Sequence, residues 1–340
     1  MLLFLLPFVF FNCKTAQLSE NIVQTQTKAD FTIAFGSCNR HNVENALWDD
    51  VLTADPDVWI WGGDIVYADT DDPKKIASMY EVQKSVPEYA QLRKEVQVIG
   101  TWDDHDYGLN DGGVEFEAKD ESQRVFLDFM DVPDNDSRRQ RKGVYADYDY
   151  KTAEGEVKIL VLDTRYFRSA LTPSGQKGNR YEPGPYGEGT VLGKEQWAWL
   201  EKELNTSEAD FNIIVSSIQF LSNQHGFETW GNFPHEVDKL KNTVEQSGAK
   251  GVIILSGDRH ISEFSSSTIE GMSYPLIDFT SSGLTHVYSS YSGEPNPYRV
   301  GEVVAVKSFG LLRFNFKSKQ VEMEMVGDQG KILNKIVQKY

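Results

Sequence analysis

Five short motifs along the chain carry the residue types that bind metal ions and transfer protons. In chain order their side chains are Cys38, Asn39 and Arg40; Asp64, Tyr67 and Asp69; Asp103, Asp104, His105 and Asp106; Asp163 and Arg165; and Asp258 and His260. Each motif directly follows a short apolar run, which predicts a buried strand that delivers these side chains at its end. A thiol, a phenol, imidazoles and several carboxylates would then meet at one edge of a sheet.

Such a meeting of carboxylates is unfavourable without a counter-charge. Like charges at close range repel strongly at low effective dielectric, and a bound cation removes that cost. Two cations that share one carboxylate suit this number of acids best. Thiolate, phenolate and imidazole ligands favour a transition metal, whereas carboxylates favour a hard cation such as calcium, magnesium or manganese. The mixture therefore predicts a site for two different metals.

A pair of metal ions suits the transfer of a phosphoryl group. Two metals a few ångströms apart clamp the attacking and leaving oxygens, and they make hydroxide available at neutral pH. His105 would then protonate the leaving alkoxide. Arg165 or Arg40 would grip the non-bridging phosphate oxygens with the two arms of a guanidinium.

Each motif also has a purely structural interpretation. Cys38 alone is more often a small buried apolar residue than a ligand, and Asp64 after two glycines fits a turn. The acidic run 103–106 could be a solvated loop, and Asp258 with His260 could belong to an ion-paired turn. Five such turns at five strand ends are a less economical explanation than one shared metal site.

The predicted elements bring the five motifs together. Buried strands are predicted at 31–36, 57–61, 96–100, 157–162, 211–217 and 251–255. Helices are predicted at 42–52 with Asn42 as cap, at 73–95 with a break at Pro87, and at 119–130, 193–204 and 237–246. A long loop at 172–190 and short strands over 261–326 complete the pattern. This order indicates an α/β or α+β fold in layers, in which ligands bind at the carboxyl ends of the strands.

Composition limits the partners of the protein. The 340 residues contain 34 Lys plus Arg and 51 Asp plus Glu, a formal charge of −17. This balance argues against binding to duplex nucleic acid, which needs a basic surface that displaces counterions. It allows a phosphate substrate, because metal ions reverse the sign of the local field. With 40% hydrophobic residues, residues 31–340 are expected to fold as one large domain, and we expect a monomer.

The first residues are typical of an export signal. The apolar run 1–11 would span about 16 Å as a helix, too short for a bilayer core of about 30 Å. Residues 1–13 therefore fit a signal peptide, and the polar stretch 14–30 fits a tether. Cys13 follows the run as in a lipoprotein signal; the alternatives are plain cleavage and an uncleaved tail. We expect a protein that is secreted, periplasmic or anchored to the outer surface of a membrane through lipidated Cys13.

The two cysteines allow one further alternative. A Cys13–Cys38 disulfide is the simplest use of two cysteines, since two cannot build a disulfide framework. Lipidation of Cys13 would leave Cys38 without that partner and free to bind metal.

The five motifs together resemble those of the alkaline phosphatase D (PhoD-like) metallophosphatases, relatives of the purple acid phosphatases in the calcineurin-like superfamily. The matching segments are Gly36-Ser37-Cys38, Gly63-Asp64-Ile65-Val66-Tyr67, Trp102-Asp103-Asp104-His105-Asp106, Leu162-Asp163-Thr164-Arg165 and Ser256-Gly257-Asp258-Arg259-His260. Each motif is weak alone, but five in this order are specific. The resemblance implies a four-layer αββα sandwich, secretion, and hydrolysis of phosphomonoesters or phosphodiesters with iron and calcium, with manganese, magnesium or zinc as alternatives.

The resemblance also implies roles for single residues. Cys38, Asp64, Tyr67 and His260 would hold an iron-like metal, with Asp64 bridging to a second metal. Asp104 and Asp258 would hold that second metal, and Asp103 would ligate it or lie just behind it. His105 matches the general acid of the superfamily and Arg165 is a second candidate catalytic residue. Asn39, Arg40 and His225 are candidate substrate-binding residues.

The main hypothesis is therefore a phosphoric ester hydrolase that uses hydroxide activated by two metals. Two other functions fit the same residues. One is a phospholipase-like enzyme that acts on lipid or nucleotide diesters. The other is a non-catalytic surface lipoprotein that binds metal or phosphate but has lost turnover; the presence of His105 and Arg165 argues against it.

Overall fold

Two large β-sheets, packed face to face, organise residues 29–340, the part of the chain that the computed structural model describes. Residues 1–28 lie outside it, so the predictions about the signal peptide, Cys13 and most of the tether are not addressed by this structure. Within residues 29–340, no helix is both long enough and apolar enough to cross a bilayer.

The first sheet has six strands in the order β15-β14-β13-β1-β2-β3. Its strands are β1 (Phe31–Gly36), β2 (Val58–Gly62), β3 (Gln97–Thr101), β13 (Phe309–Asn315), β14 (Gln320–Gly327) and β15 (Lys331–Lys339). Strands β1, β2 and β3 run parallel, and β13 to β15 add antiparallel strands on the other side of β1.

The second sheet has seven strands in the order β12-β10-β11-β9-β8-β5-β4. Its strands are β4 (Ala146–Lys151), β5 (Glu156–Val161), β8 (Phe211–Val215), β9 (Val252–Ser256), β10 (Ser262–Ser267), β11 (Leu276–Ser281) and β12 (Arg299–Val304). Strands β5, β8, β9 and β11 form its parallel centre. The long loop predicted at 172–190 contains only the short ladder of β6 (Thr172–Pro173) and β7 (Tyr181–Glu182).

Helices cover the outer face of each sheet. The helices associated with the first sheet are α1 (Trp48–Thr53), α2 (Pro73–Ser85), α3 (Pro87–Glu95), α4 (Asp104–Tyr107) and α5 (Lys119–Phe129); those over the second are α6 (Gly193–Asn205) and α7 (Pro234–Ser247). The break predicted at Pro87 falls between α2 and α3. The helix predicted at 42–52 begins only at Trp48, because Asn45 accepts the Leu47 amide in a preceding turn.

Alternation along the strands divides the apolar side chains between three layers. In β2, Val58 and Ile60 face the other sheet, whereas Trp59 and Trp61 face the helices with Trp48. Facing side chains from both sheets fill the middle layer; they include Phe35, Ile60, Val161, Ile213, Phe279 and Leu312. Leu200 and Leu240 close the layer beneath α6 and α7. The predicted four-layer αββα sandwich is confirmed.

Candidate metal centre

The carboxyl ends of strands from both sheets converge on one site. β1, β2 and β3 end just before Cys38, Asp64 and Asp104, and β9 of the facing sheet ends just before Asp258. The thiol of Cys38 lies 3.4 Å from Oδ2 of Asp64 and 3.7 Å from the carbonyl oxygen of Asp258. Segments more than 200 residues apart in sequence are therefore in contact here.

The backbone at these strand ends adopts conformations that side chains other than glycine rarely take. Cys38, Asp64, Asp69, Asp258 and His260 have φ of 59°, 53°, 44°, 70° and 55°. Each such left-handed residue costs on the order of 1–3 kcal/mol, and such residues concentrate at functional sites because the surrounding structure holds them there.

One group of side chains combines sulfur, oxygen and nitrogen donors. Ligand atoms of Cys38, Asp64 and His260 lie within 4.8 Å of one another. The hydroxyl of Tyr67 is 3.2 Å from Oδ2 of Asp64 and 3.0 Å from Nε2 of His260. This is the set that the sequence predicted for the first metal, and its geometry can hold one ion.

A second group shares Asp64 with the first. Ligand atoms of Asp64, Asp104 and His105 also lie within 4.8 Å of one another. Oδ2 of Asp104 accepts hydrogen bonds of 2.7 Å from the Asn110 side chain and the Asp111 amide, whereas its Oδ1 is buried and has no partner within residues 29–340. Such an orphaned acceptor is costly unless a cation or donor satisfies it.

Asp258 lies beside the second group. It lines an open pocket of about 270 Å³ together with Asp104, His105 and His260. The residues present therefore fit two metal ions that share Asp64.

The protonation of these side chains depends on a counter-charge. Burial raises the pKa of Asp64 and of Asp258 well above the usual range, and it raises the pKa of the Cys38 thiol to about 12. Burial also lowers the pKa of His260 to about 4. Without a cation burial therefore favours the neutral forms of Asp64 and Asp258, whereas Arg165, His105 and hydrogen bonds lower the pKa of Asp104 to about 2 despite its burial. A metal ion would favour the ionised ligands.

His105 lies at the edge of the pocket. Its Nδ1 lies 2.8 Å from Oδ1 of Asp69, and its ring lies 4.0 Å from the ring of Tyr67. Burial alone would lower its pKa, but the hydrogen bond to Asp69 and the charges of Asp64 and Asp104 raise the pKa to about 10. This environment favours the protonated imidazole, which can donate a proton from Nε2.

Arg165 does not reach the substrate pocket. Its guanidinium is completely buried, with Nε 2.5 Å from Asp103 and Nη1 2.6 Å from Glu228. Arg168 pairs with the other oxygen of Glu228 at 2.9 Å. The expectation that Arg165 grips the phosphate does not fit this arrangement. Instead Arg165 orients Asp103, whose second oxygen, Oδ2, is buried beside Asp104 with no partner in the part of the chain that the structure describes.

Of the three predicted substrate-binding residues, the structure brings one to the site. Arg40 is exposed, and its guanidinium carbon lies 5.3 Å from the centre of the Tyr67 ring. Asn39 is buried and donates to the Ile65 carbonyl and to Gln83, at 3.1 and 2.7 Å. His225 is buried and stacks on Phe227, a residue of the pocket wall, but does not itself line the pocket. Asn39 and His225 therefore support the residues around the site, and neither lines the pocket.

His286 is part of the site, although no sequence pattern distinguishes it from other surface histidines. Its ring lies 4.4 Å from that of His260 and 4.9 Å from that of Tyr67, and its buried Nε2 has no partner among the described residues. It follows β11, the neighbour of β9 in the second sheet. Ligand-binding side chains are expected just after the carboxyl ends of strands, which we call the strand-end rule. Applied to β11, this rule identifies His286.

The pocket wall also contains residues that sequence reasoning missed. Arg180 pairs with Asp111 at 2.6 Å, and Arg259 pairs with Glu294 at 2.9 Å. Both arginines line the pocket at the metal centre, together with Phe227 and Tyr288. The Arg180 contact comes from the loop at 172–190, whose path the sequence pattern does not predict.

Two facing sheets between helices, with metal-binding side chains at their carboxyl ends, define the fold of a metallophosphoesterase. A solved structure described as "Structure of PhoD" superposes with a TM-score of 0.67 at 16% identity, over 92% of this chain and 68% of that chain. A dimetal phosphatase from Danio rerio superposes with a TM-score of 0.54 at 13% identity, over 92% of this chain and all of that one. These two similarities establish the fold.

The sequence model of the PhoD-like phosphatase family matches residues 33–279, so the chain belongs to that family. The family resemblance carried by the five motifs is thereby confirmed. Among curated proteins, alkaline phosphatase D of Bacillus subtilis (strain 168) is 29% identical over 145 residues. The aligned segment covers 36% of this chain and only 24% of that relative.

Proposed function

We propose that this protein is a metal-dependent phosphoric ester hydrolase. The observation that carries the proposal is that ligand atoms of Asp64 lie within 4.8 Å of those of Cys38 and His260 on one side and of Asp104 on the other. A shared carboxylate is the arrangement that a two-metal centre needs, and phosphate esters are the substrates that such a centre serves best. Membership of the PhoD-like phosphatase family supports the same reaction class.

Each metal position would be held by its own set of side chains. Cys38, Tyr67 and His260 would bind the first ion with Asp64, and Asp104 and Asp258 would bind the second. When bound, the two ions would lower the pKa of water and neutralise the charge that develops on the phosphoryl group. Iron fits the thiol, phenol and imidazole donors, and calcium fits the carboxylates; manganese, magnesium and zinc are alternatives.

The remaining side chains act on the substrate. Arg40, exposed beside Tyr67, would donate to a non-bridging oxygen of the phosphate. Nε2 of His105 would give its proton to the oxygen of the departing alcohol. Asp69 would hold the other ring nitrogen at 2.8 Å, which orients the imidazole and keeps it charged until it donates.

The compartment and assembly are further parts of this proposal. Residues 1–13 would direct export, with Cys13 either lipidated or lost on cleavage, and the enzyme would act outside the cytoplasm as a monomer. Mass spectrometry of the mature N-terminus distinguishes these routes. A diacylglyceryl mass on Cys13 supports anchoring, an N-terminus beyond Cys13 supports secretion, and an intact Met1 contradicts both.

The activity is tested on protein purified without chelators. p-Nitrophenyl phosphate and bis(p-nitrophenyl) phosphate are offered as a monoester and a diester, before and after removal of metal. Hydrolysis that disappears on chelation and returns with added metal is expected, and the ratio of the two rates assigns the preference for monoester or diester. Unchanged hydrolysis after complete metal removal, or bound metal with no turnover of either ester, would contradict the proposal.

A further inference from the structure

A second pocket of about 270 Å³ shares no lining residue with the pocket at the metal centre. Three lysines and two aromatic rings line most of it: Lys119, Lys142, Lys194, Tyr166 and Phe167. We call it the lysine pocket. Its volume corresponds to that of about nine water molecules in the liquid, which is enough for a small organic anion.

The lysine pocket gathers positive charge in an acidic protein. None of its three ammonium groups forms an ion pair with a carboxylate of residues 29–340. Among residues 29–340 the Lys119 ammonium donates to the carbonyl oxygen of Val114, at 2.5 Å. Burial lowers the pKa of Lys119, and the charge of Lys142 adds to that effect against the opposing charges of Asp120 and Glu115. The residues that line the pocket include one carboxylate, Glu195, and so carry an excess of two positive charges, which Asp120, bonded to the Tyr166 hydroxyl behind the lining, partly offsets.

One helix end adds a small positive contribution. α5 begins at Lys119, and the preceding Ala118 does not cap it with a side-chain hydrogen bond, so its first amides point a positive end towards the lysines. The start of α6 at Gly193 is already satisfied, because the Gly193 amide donates to Thr190 and the two amides before it donate to the Glu236 carboxylate. The contribution of α5 strengthens the field of the lysines but would not define a site without them.

The rings give the pocket a second chemical character. The centres of the Tyr166 and Phe167 rings lie 4.9 Å apart, and the planes are inclined by 56°. The Lys119 ammonium lies 5.2 Å from the centre of the Tyr166 ring. A ligand that combines an anionic group with a flat ring could therefore contact the ammonium groups and an aromatic surface at the same time.

We propose that the lysine pocket is a second anion-binding site, separate from the metal centre, for a soluble phosphate-type oxyanion that carries an aromatic ring. An oxyanion would neutralise the excess charge of Lys142, Lys194 and Lys119, and its ring would lie against Tyr166 and Phe167. The site uses none of the residues assigned to metal binding or catalysis.

The probe is phenylphosphonate, whose carbon–phosphorus bond resists hydrolysis, titrated calorimetrically into the full protein with its metals. Under both proposals two molecules bind per chain, one at each site. The variant Lys142→Glu/Lys194→Glu should weaken binding at the lysine pocket at least about tenfold and leave the metal-centre event and the hydrolytic rate unchanged. If the phosphatase proposal alone is wrong, only the binding event at the lysine pocket remains in the parent protein, and it is still weakened in this variant.

Two comparisons make the test specific. Lys75→Glu/Lys94→Glu alters two exposed lysines on α2 and α3 and changes the net charge equally, so it should leave both events intact. Methylphosphonate, which lacks the ring, should bind the lysine pocket about threefold or more weakly than phenylphosphonate. If Lys142→Glu/Lys194→Glu does not fold, Lys142→Gln/Lys194→Gln is used instead. This variant should also weaken binding of phenylphosphonate at the lysine pocket.

Three results would overturn the proposal. The first is an unchanged titration in the Lys142 and Lys194 variants. The second is an equal loss in the Lys75 and Lys94 control, which would reduce the effect to bulk charge. The third is equal binding of methylphosphonate and phenylphosphonate, which would show that the aromatic ring of the ligand does not contribute to binding.

Discussion

The interiors of the strands and their carboxyl ends are built on opposite principles. Between the sheets, side chains such as Ile60 of β2 and Phe279 of β11 are completely buried in an apolar layer. Just beyond the end of β2, Asp64 is equally buried but is surrounded by other acids and a thiol. Burial alone thus does not distinguish the two regions. They differ in whether each buried group has favourable partners, as the apolar side chains do and the clustered acids do not.

The apolar layer is complete without a ligand, whereas the strand ends are not. One buried oxygen each of Asp103 and Asp104 has no partner among the described residues, and the backbone of Cys38, Asp64 and Asp258 is strained. Groups like these lower stability unless a ligand compensates. The comparison indicates that packing in the middle layer stabilises the fold. This stability offsets the unfavourable groups at the strand ends, which form the binding site.

The largest effect is expected at the shared ligand. Asp64→Asn should lower kcat/KM at least about a thousandfold and reduce the bound metal, because both ligand groups lose their common carboxylate. The metal-free variant should be no less stable than the metal-free parent, since a buried acid has been removed. Steady-state kinetics, metal analysis and thermal melting measure the three quantities. A variant that keeps its bound metal and hydrolyses esters at near-normal rates would show that Asp64 does not bridge two metal ions.

The opposite result is expected in the apolar layer. Phe279→Ala should lower the free energy of unfolding by about 3–5 kcal/mol, because it leaves a cavity where the ring packs edge-on against Phe35 at 4.9 Å. Its kcat per folded molecule and its metal content should stay unchanged. Denaturant unfolding and active-site titration test this. Loss of bound metal without a loss of folding stability would show that the apolar layer and the strand ends do not have these separate roles.

A smaller effect, dependent on the leaving group, is expected for the proton donor. His105→Gln should slow hydrolysis of alkyl phosphates about a hundredfold and retain metal, because the departing alkoxide is no longer protonated. With p-nitrophenyl phosphate, whose leaving group needs little protonation, the loss should be much smaller. Asp69→Asn should show the same pattern more weakly. Equal losses for both leaving groups would assign His105 a role other than proton donation.

These contrasts also explain which features sequence patterns predict. Strand periodicity and the strand-end rule predict the layered fold and the meeting of Cys38, Asp64, Asp104 and His260, because both depend on local order and on parallel topology. The start of α1 is not predicted correctly, because the apolar spacing at 42–47 fits a helix while Asn45 forms a competing turn.

Side-chain orientation is the part that sequence patterns do not determine. Arg165 faces inward because Glu228, 63 residues further along, provides its second partner. Asn39 turns away from the site because Gln83 lies behind it. Both partners reach their positions only through tertiary packing, so a motif identifies the residue but not the direction in which it points.

The smallest effect is a pH dependence of stability in the metal-free protein. Burial raises the pKa of Asp103 and Asp106 to about 7, and Asp69 with nearby acids raises the pKa of His105 to about 10 despite its burial. A group whose pKa is raised by folding stabilises the protein at low pH and loses that contribution as the pH rises through its folded value. Buried His225, His260 and His286, with lowered pKa, oppose this only below about pH 6.5.

Between pH 6.5 and 9 the sign is therefore the same for all of these groups. The melting temperature of the metal-free protein should fall by about 5 °C or more across this interval, and added metal should remove most of the fall. Asp103→Asn should flatten the metal-free curve. A melting temperature that rises with pH, or an identical slope with and without metal, would show that the strand ends carry no uncompensated acids.

The central claim is that side chains from distant strand ends surround two cations that share one carboxylate. Anomalous X-ray diffraction from crystals grown without chelator tests it most directly. The expected result is two peaks, each within about 2.5 Å of an oxygen of Asp64, one next to Cys38 and His260 and the other next to Asp104 and Asp258. No peak at Asp64, or a single peak that contacts only one of the two groups, would contradict the account.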